Sequence, residues 1–235
     1  MASVTTGRWA GQRERRRAEF IDAALVVIEQ HGPQTSTEQI AAHVGVSRTK
    51  LYRHFIDAAD LQREVAQRAG LMITAELAPV WQPEGSMAQI VTAGVGAHVH
   101  FLVQHPNLYR YLQRCSIEEG SSAFADIKIT IANLLSDVLA VYVDAFGVNA
   151  DAERLSYGIV GLVETAAGHW LEQSVHQNQD ALIADLTRWI WLMLDDALRG
   201  GGVYLDADEI LPPAAEIAAN PLRYRDPARL QTLNN

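Results

Sequence analysis

Residues 36–55, STEQIAAHVGVSRTKLYRHF, decide how this chain is read. Ser36 with Gln39 three residues on is a capping-box start, and Ile40, Ala41 and Val44 follow at helical spacing. Gly45 breaks that helix, and Ser47 can cap a second short one carrying Leu51 and Phe55. Two short helices joined by a tight glycine turn form a helix-turn-helix, whose second helix lies in the major groove of duplex DNA. At about 100° per residue, pointing Leu51 and Phe55 into a small core turns Thr49 and Arg53 outward. Lys50 and Tyr52 flank that face, and Arg48 and His54 stand at its margins. An arginine can fork onto guanine O6 and N7, a threonine can touch a thymine methyl, and lysine or tyrosine can hold phosphates.

The charge distribution points the same way. The chain has 235 residues and formal net charge −9. Its first 56 residues nevertheless carry eight Lys/Arg against five acids, while the remainder carries 11 bases against 23 acids. A basic head on an acidic body predicts that the head meets a polyanion. With 49% hydrophobic residues the chain can bury a core. The lone Cys115 excludes an intramolecular disulfide framework and fits a reducing cytoplasm. No apolar run approaches the roughly 18–20 residues of a membrane span, so no membrane partner is expected.

Working outward, apolar residues recur at helical spacing along nearly the whole chain, so the fold is expected to be all-α. Ile21, Leu25 and Ile28 mark a first helix that His31-Gly32-Pro33 ends. Leu61, Val65 and Met72 mark a fourth, stopping near Pro79. Val91, Val95, His98 and Leu102 mark another, ending at His105-Pro106, and a short one carries Leu108 and Leu112. A long helix with stripes Ile127–Val141 and Leu135–Phe146 is expected to be covered on more than one side. Two more helices span about 151–174 and 180–199. The division read from this pattern is 1–60 for an N-terminal arm and helix-turn-helix, 61–199 for a helical body, and 200–235 for a partly extended, partly mobile tail with GGG and LPP breakers.

FIDAALVVIEQHG, the quoted stretch and the following Asp60-Leu61 together resemble the DNA-binding head of the tetracycline-repressor (TetR) family. The matching residues, Ala23-Ala24, Gly32, Ile40-Ala41, Gly45-Val46-Ser47, Leu51-Tyr52 and Phe55, fall in order within roughly residues 15–62. The resemblance implies a homodimeric, ligand-responsive transcription factor, usually a repressor, on a palindromic operator. It implies that Arg48, Thr49, Lys50, Arg53 and His54 read bases or nearby phosphates, that Tyr52 packs on the DNA backbone and that Ser36-Thr37 meet a phosphate. The basic run Arg13–Arg17, with Arg15, Arg16 and Arg17 foremost, is expected to follow the DNA backbone or a minor groove as an arm. Where the family commonly has a phosphate-binding lysine this chain has Ala58; Arg63 or the N-terminal arginines are candidates to compensate.

For the body, the resemblance implies a four-helix dimer interface from the last two long helices. The candidates are Ile159, Val163, Ala166, Leu186, Trp189, Ile190 and Met193, with glycines permitting close approach. Pocket candidates are Trp81, His98, Phe101, Leu102, Tyr109, Leu112, Phe124, Leu135, Tyr142 and Trp170. They favour an apolar or amphipathic ligand. GLVETAAGHWLEQ resembles part of family members that sense fatty acyl chains or acyl-CoA. Two other readings stand beside this one: a helical ligand- or partner-binding module without DNA function, and an enzyme. For the latter, His98 and His100 face apart on a helix, and no metal, Walker or dinucleotide fingerprint occurs. Glu118-Glu119 and Asp195-Asp196 are adjacent pairs that do not converge on a substrate. No cofactor, metal or catalytic residue is expected.

Overall fold

A computed structural model describes residues 3–118, 122–173 and 178–227. Among these no strand forms, and one isolated antiparallel bridge pairs Ser86 with Ile210. Glu119, Ser174 and the end of the tail lie outside the described residues. The helices are α1 (Ser3–His31), α2 (Thr37–His43), α3 (Arg48–Leu51), α4 (Ala58–Glu76), α5 (Ala78–Trp81), α6 (Met87–Gln104), α7 (Pro106–Glu118), α8 (Ala123–Phe146), α9 (Ala152–Glu172), α10 (Gln179–Gly200) and α11 (Ala214–Ala219). The all-α expectation holds.

The chain divides into two compact units, residues 1–72 with 104–127, and 73–103 with 128–235. In the first, α1 buries Phe20, Ala24, Val27 and Ile28. α7 closes over α1 by burying Leu108, Tyr111 and Leu112. Polar ties fix the pair: Asn107 Nδ2 donates to the Glu29 carbonyl (2.9 Å) and Arg114 Nε to the Pro33 carbonyl (2.7 Å). The expected N-terminal arm is a helix. Arg13–Arg17 belong to α1, because Gln, Arg, Glu and Ala are strong helix formers with no breaker among residues 12–31.

In the second unit α9 and α10 run beside each other, and a Cβ on Gly158 would meet Met193 Cε at 3.2 Å. α8 joins α9 through Tyr157 Oη donating to Asn133 Oδ1 (3.2 Å) and Lys128 paired with Glu164 (3.7 Å). Contrary to the sequence expectation, α8 is long and apolar enough, by length and composition alone, to cross a bilayer. Asn133 and Asp137 divide its apolar run but are diluted over the full length. A carboxylate so near the helix centre is costly in hydrocarbon. The expected cover on several sides is also incomplete in the single chain, where Ile129 is 44% and Val141 54% exposed.

The segment after Gly200, expected as a partly extended and partly mobile tail, is packed through Tyr224. Val203, Leu205, Leu211, Ile217 and Tyr224 are buried in one cluster with Ile90, Phe146 and Val148. Tyr224 stands edge-on to Phe146 at 5.2 Å. Arg225 donates to the carbonyls of Phe146 and Gly147 (3.0 Å each) and of Gly201, satisfying orphan C-terminal groups of α8 and α10. Gly201 must be glycine, since a Cβ there would collide with Val148. GGG and LPP therefore steer the chain back onto the body. Tyr224→Ala is expected to cost about 3–5 kcal/mol, checked by urea unfolding of the full chain; an unchanged midpoint would mean an unpacked tail.

Candidate nucleic-acid interface

The helix-turn-helix is built as its caps dictate. Ser36 Oγ accepts from Gln39 N and Gln39 Oε1 accepts from Ser36 N (2.7 Å), completing the capping box. Gly45 adopts φ +70°, a left-handed turn that a side chain would strain. Ser47 Oγ then accepts from Lys50 N and starts α3. α3 is a single turn. It tightens through 3-residue bonds from Arg53 N to Lys50 O and His54 N to Leu51 O.

Leu51 and Phe55 are buried (0% and 2% exposed), and Phe55 meets Phe20 edge-on at 6.2 Å. Arg48, Thr49, Lys50 and Arg53 are all exposed. Arg48 pairs with Glu38 across the turn, both side chains 56% exposed, and lies over the Tyr52 ring at 5.4 Å. Water screens an exposed pair of this kind strongly, so Arg48 is readily released to another anion. Tyr52 is half-buried, and its hydroxyl donates to Thr37 Oγ1 (3.4 Å). His54 turns inward, its ring 5.2 Å from Phe20. Its burial, then Arg13, Arg16, Lys50 and Arg17, hold its pKa below the usual histidine value. At neutral pH His54 therefore adds no charge to the surface.

The α1 arginines divide. Arg15 is exposed, while Arg16 pairs with Glu19 (2.5 Å) and lies over Phe20 (5.3 Å). Arg17 faces inward. It donates to the His54 carbonyl (2.6 Å), Asp60 (3.0 Å) and Glu64 (2.6 Å) and lies 4.6 Å over the Phe55 ring. Arg63, the candidate to compensate for Ala58, reaches Asp60 at 3.4 Å. Sequence reasoning passed over Ile56, 85% exposed beside Arg53; an apolar residue just past the Phe55 core position was its signal.

The body candidates fall apart into two sets. Tyr109, Leu112 and Phe124 are buried in the first unit, with Tyr109 edge-on to Phe124 at 5.6 Å. Trp81, His98, Phe101, Leu102, Leu135, Tyr142 and Trp170 lie in the second. Phe101 and Leu102 are buried, Trp81 donates to the Thr74 carbonyl (2.9 Å), and Tyr142 and Leu135 are half-buried on α8. His98 Nε2 and Trp170 Nε1 are buried without a hydrogen-bond partner. A separate groove of about 580 Å³ runs between α6 and α10, lined by Thr92, Gly96, Ile183, Thr187 and Trp191. None of the pocket candidates lines it; its signal was the small-residue spacing of Ala88, Thr92 and Gly96. Of the interface candidates, Ile159, Leu186 and Ile190 are buried by their own chain, Val163, Ala166 and Met193 are half-buried, and Trp189 is exposed. Apolar and small residues left exposed on the same two helices are Tyr157 (42%), Gly158 and Gly161 on α9 and Trp189 (38%) and Leu192 (54%) on α10.

Residues 20–65 match the family model described as "Bacterial regulatory proteins, tetR family". Residues 20–65 therefore carry a TetR-family DNA-binding head. The chain is 28% identical over 197 residues to an uncharacterised HTH-type transcriptional regulator of Mycobacterium tuberculosis, covering 83% of this chain and 84% of that one. Its fold resembles a TetR-family regulator of Streptomyces coelicolor (TM-score 0.64, 18% identity, 94% and 98% of the chains covered). It also resembles the regulator FadR of Bacillus subtilis, solved in complex with stearoyl-CoA (TM-score 0.58, 20% identity, 75% and 96%). Members of that family are DNA-binding transcriptional regulators.

Burial pushes the His98 pKa down to about 4, against about 6.5 in the unfolded chain. Its neutral form therefore stabilises the fold fully above pH 6.5, and that contribution is lost as pH falls from 6.5 through 4. Between pH 7 and 4.5 wild type is expected to lose about 2–3 kcal/mol more than His98→Leu, read as the difference between their urea-unfolding free energies.

Proposed function

We propose that this chain is a ligand-responsive repressor that binds a palindromic operator as a homodimer in the cytoplasm. An apolar or amphipathic small molecule then releases it. The observation that carries the reading is the outward display of Arg48, Thr49, Lys50 and Arg53 around the buried Leu51 and Phe55. In this reading Arg48, Thr49 and Arg53 meet base edges, and Lys50 and Tyr52 hold phosphates, with Arg15 beside them. Ser36 and Thr37 stand at the approach to the backbone, and His54 fixes the end of the reading turn. Selection of duplexes from random DNA is expected to return a palindrome. Arg53→Ala is expected to weaken binding of that duplex by about 1–3 kcal/mol, measured by fluorescence anisotropy.

Self-association is read from the open apolar side. Gly161, with open space where a Cβ would stand, lets a second helix approach closely, and Trp189 and Leu192 are large apolar groups left in water by the single chain. A twofold dimer would space two reading turns about one DNA turn apart. Leu192→Glu is expected to shift sedimentation from dimer to monomer; a dimer that persists would remove this face from the interface.

The ligand reading rests on two buried polar atoms that lack partners, His98 Nε2 and Trp170 Nε1. Such atoms are costly to leave unpaired. The indole N–H requires an acceptor, as a carbonyl or carboxylate on an apolar molecule would provide. The similarity to a regulator solved with stearoyl-CoA makes an acyl-CoA the first class to test. A ligand favouring the conformer with misplaced reading turns lowers DNA affinity by its differential binding, typically about 1–3 kcal/mol. Stearoyl-CoA added to the preformed operator complex is expected to release DNA; tighter binding would reverse the sign, and no effect would discard this ligand class.

A further inference from the structure

We infer that Arg17 is a positioning residue that clasps the DNA-reading turn to the first two turns of α4, and that it does not touch DNA. The inference rests on the helix-turn-helix being the DNA-reading element. One guanidinium nitrogen donates to the His54 carbonyl at the C-terminal end of the reading turn (2.6 Å). The other donates to Asp60 Oδ1 (3.0 Å) and Glu64 Oε1 (2.6 Å) on successive turns of α4. The guanidinium carbon lies 4.6 Å over the ring of Phe55, whose burial orients the outward face.

Asp60 completes the joint from the other side. Its Oδ2 accepts from Ile56 N (2.9 Å), so one carboxylate holds both the guanidinium and the backbone that leaves the reading turn. Asp57 Oδ1 in turn caps Asp60 N (2.7 Å). Asp60 is 7% exposed and the Arg17 side chain 26%. Burial by itself would lower the Arg17 pKa and raise that of Asp60. The ion pair and the Ile56 amide reverse both directions. Turning Arg17 toward a phosphate would break its pair with Glu64 and leave the buried Asp60 carboxylate only the longer pair with Arg63 (3.4 Å), a loss that one phosphate contact does not offset. The arginine is therefore committed to the protein. Arg13 reaches the neighbouring Arg53 carbonyl at 3.5 Å and repeats the theme weakly. Two α1 cations thus face the C-terminal carbonyls of the reading turn, where positive charge is favoured.

The test compares wild type, Arg17→Gln, Arg17→Lys and Lys50→Ala in the full chain. Affinity for the selected duplex and for random duplex is measured by anisotropy across a salt series. Amide exchange of residues 52–61 is followed in free protein. Arg17→Gln is expected to lower the selected-to-random affinity ratio at least tenfold with an unchanged salt slope. Lys50→Ala is expected to lower the slope by about one. A loss of folded protein alone would reduce both affinities equally and leave the ratio intact. Exchange at Ile56 is expected to rise at least tenfold in Arg17→Gln while residues 37–43 keep their protection. Arg17→Lys keeps the charge but cannot bridge three acceptors, so it is expected to lower the ratio too, and it serves if the Gln variant unfolds. A slope that falls by about one in Arg17→Gln, or a ratio and an Ile56 exchange both unchanged, overturns the clasp. A wild-type chain that selects no duplex defeats the DNA reading alone, and the exchange result then decides the clasp.

Discussion

The head of this protein depends on the burial of Leu51 and Phe55 against α1, with Phe55 edge-on to Phe20. Burying two such side chains is worth about 1.5–3 kcal/mol each, a large share for an element with one true helical turn. That burial also sets direction. Once those two positions face inward, helical geometry turns Thr49 and Arg53 to solvent and brings Lys50 and Arg48 beside them. Caps at Ser36 and Ser47 and the left-handed Gly45 place the two short helices so that this contact can form.

Around that anchor the basic residues separate by task. Arg48, Lys50 and Arg53 stay in water, bound at most by an exposed ion pair. Arg17 spends its charge on two carboxylates and a carbonyl inside the head, and Arg16 lies against Phe20. A positive count along the sequence therefore overstates the charge offered to a polyanion. The acidic partners that absorb it, Asp60 and Glu64, lie more than 40 residues downstream of Arg17.

The body follows a different logic. α8, α9 and α10 are rich in apolar residues, yet Ile129, Val141, Tyr157, Trp189 and Leu192 remain exposed in the single chain. The stripes that run most evenly along α9 and α10, through Ile159, Leu186 and Ile190, are satisfied within the chain. Small residues beside the exposed aromatics form the face left over. The segment beyond Gly200 supplies core from Val203 to Tyr224, and Arg225 fastens it by capping two helix ends.

Local chemistry alone was enough to specify the helix-turn-helix, the all-α class, most helix ends and the outward set Arg48, Thr49, Lys50 and Arg53. Caps, glycine turns and helical period act over a few residues, and they are written in adjacent letters. The inward commitment of Arg17 and the seating of Tyr224 on Phe146 were decided by tertiary structure. So were the sides of α9 and α10 that stay open. Each depends on a partner dozens of residues away, and apolar periodicity says that a face is covered without saying by what.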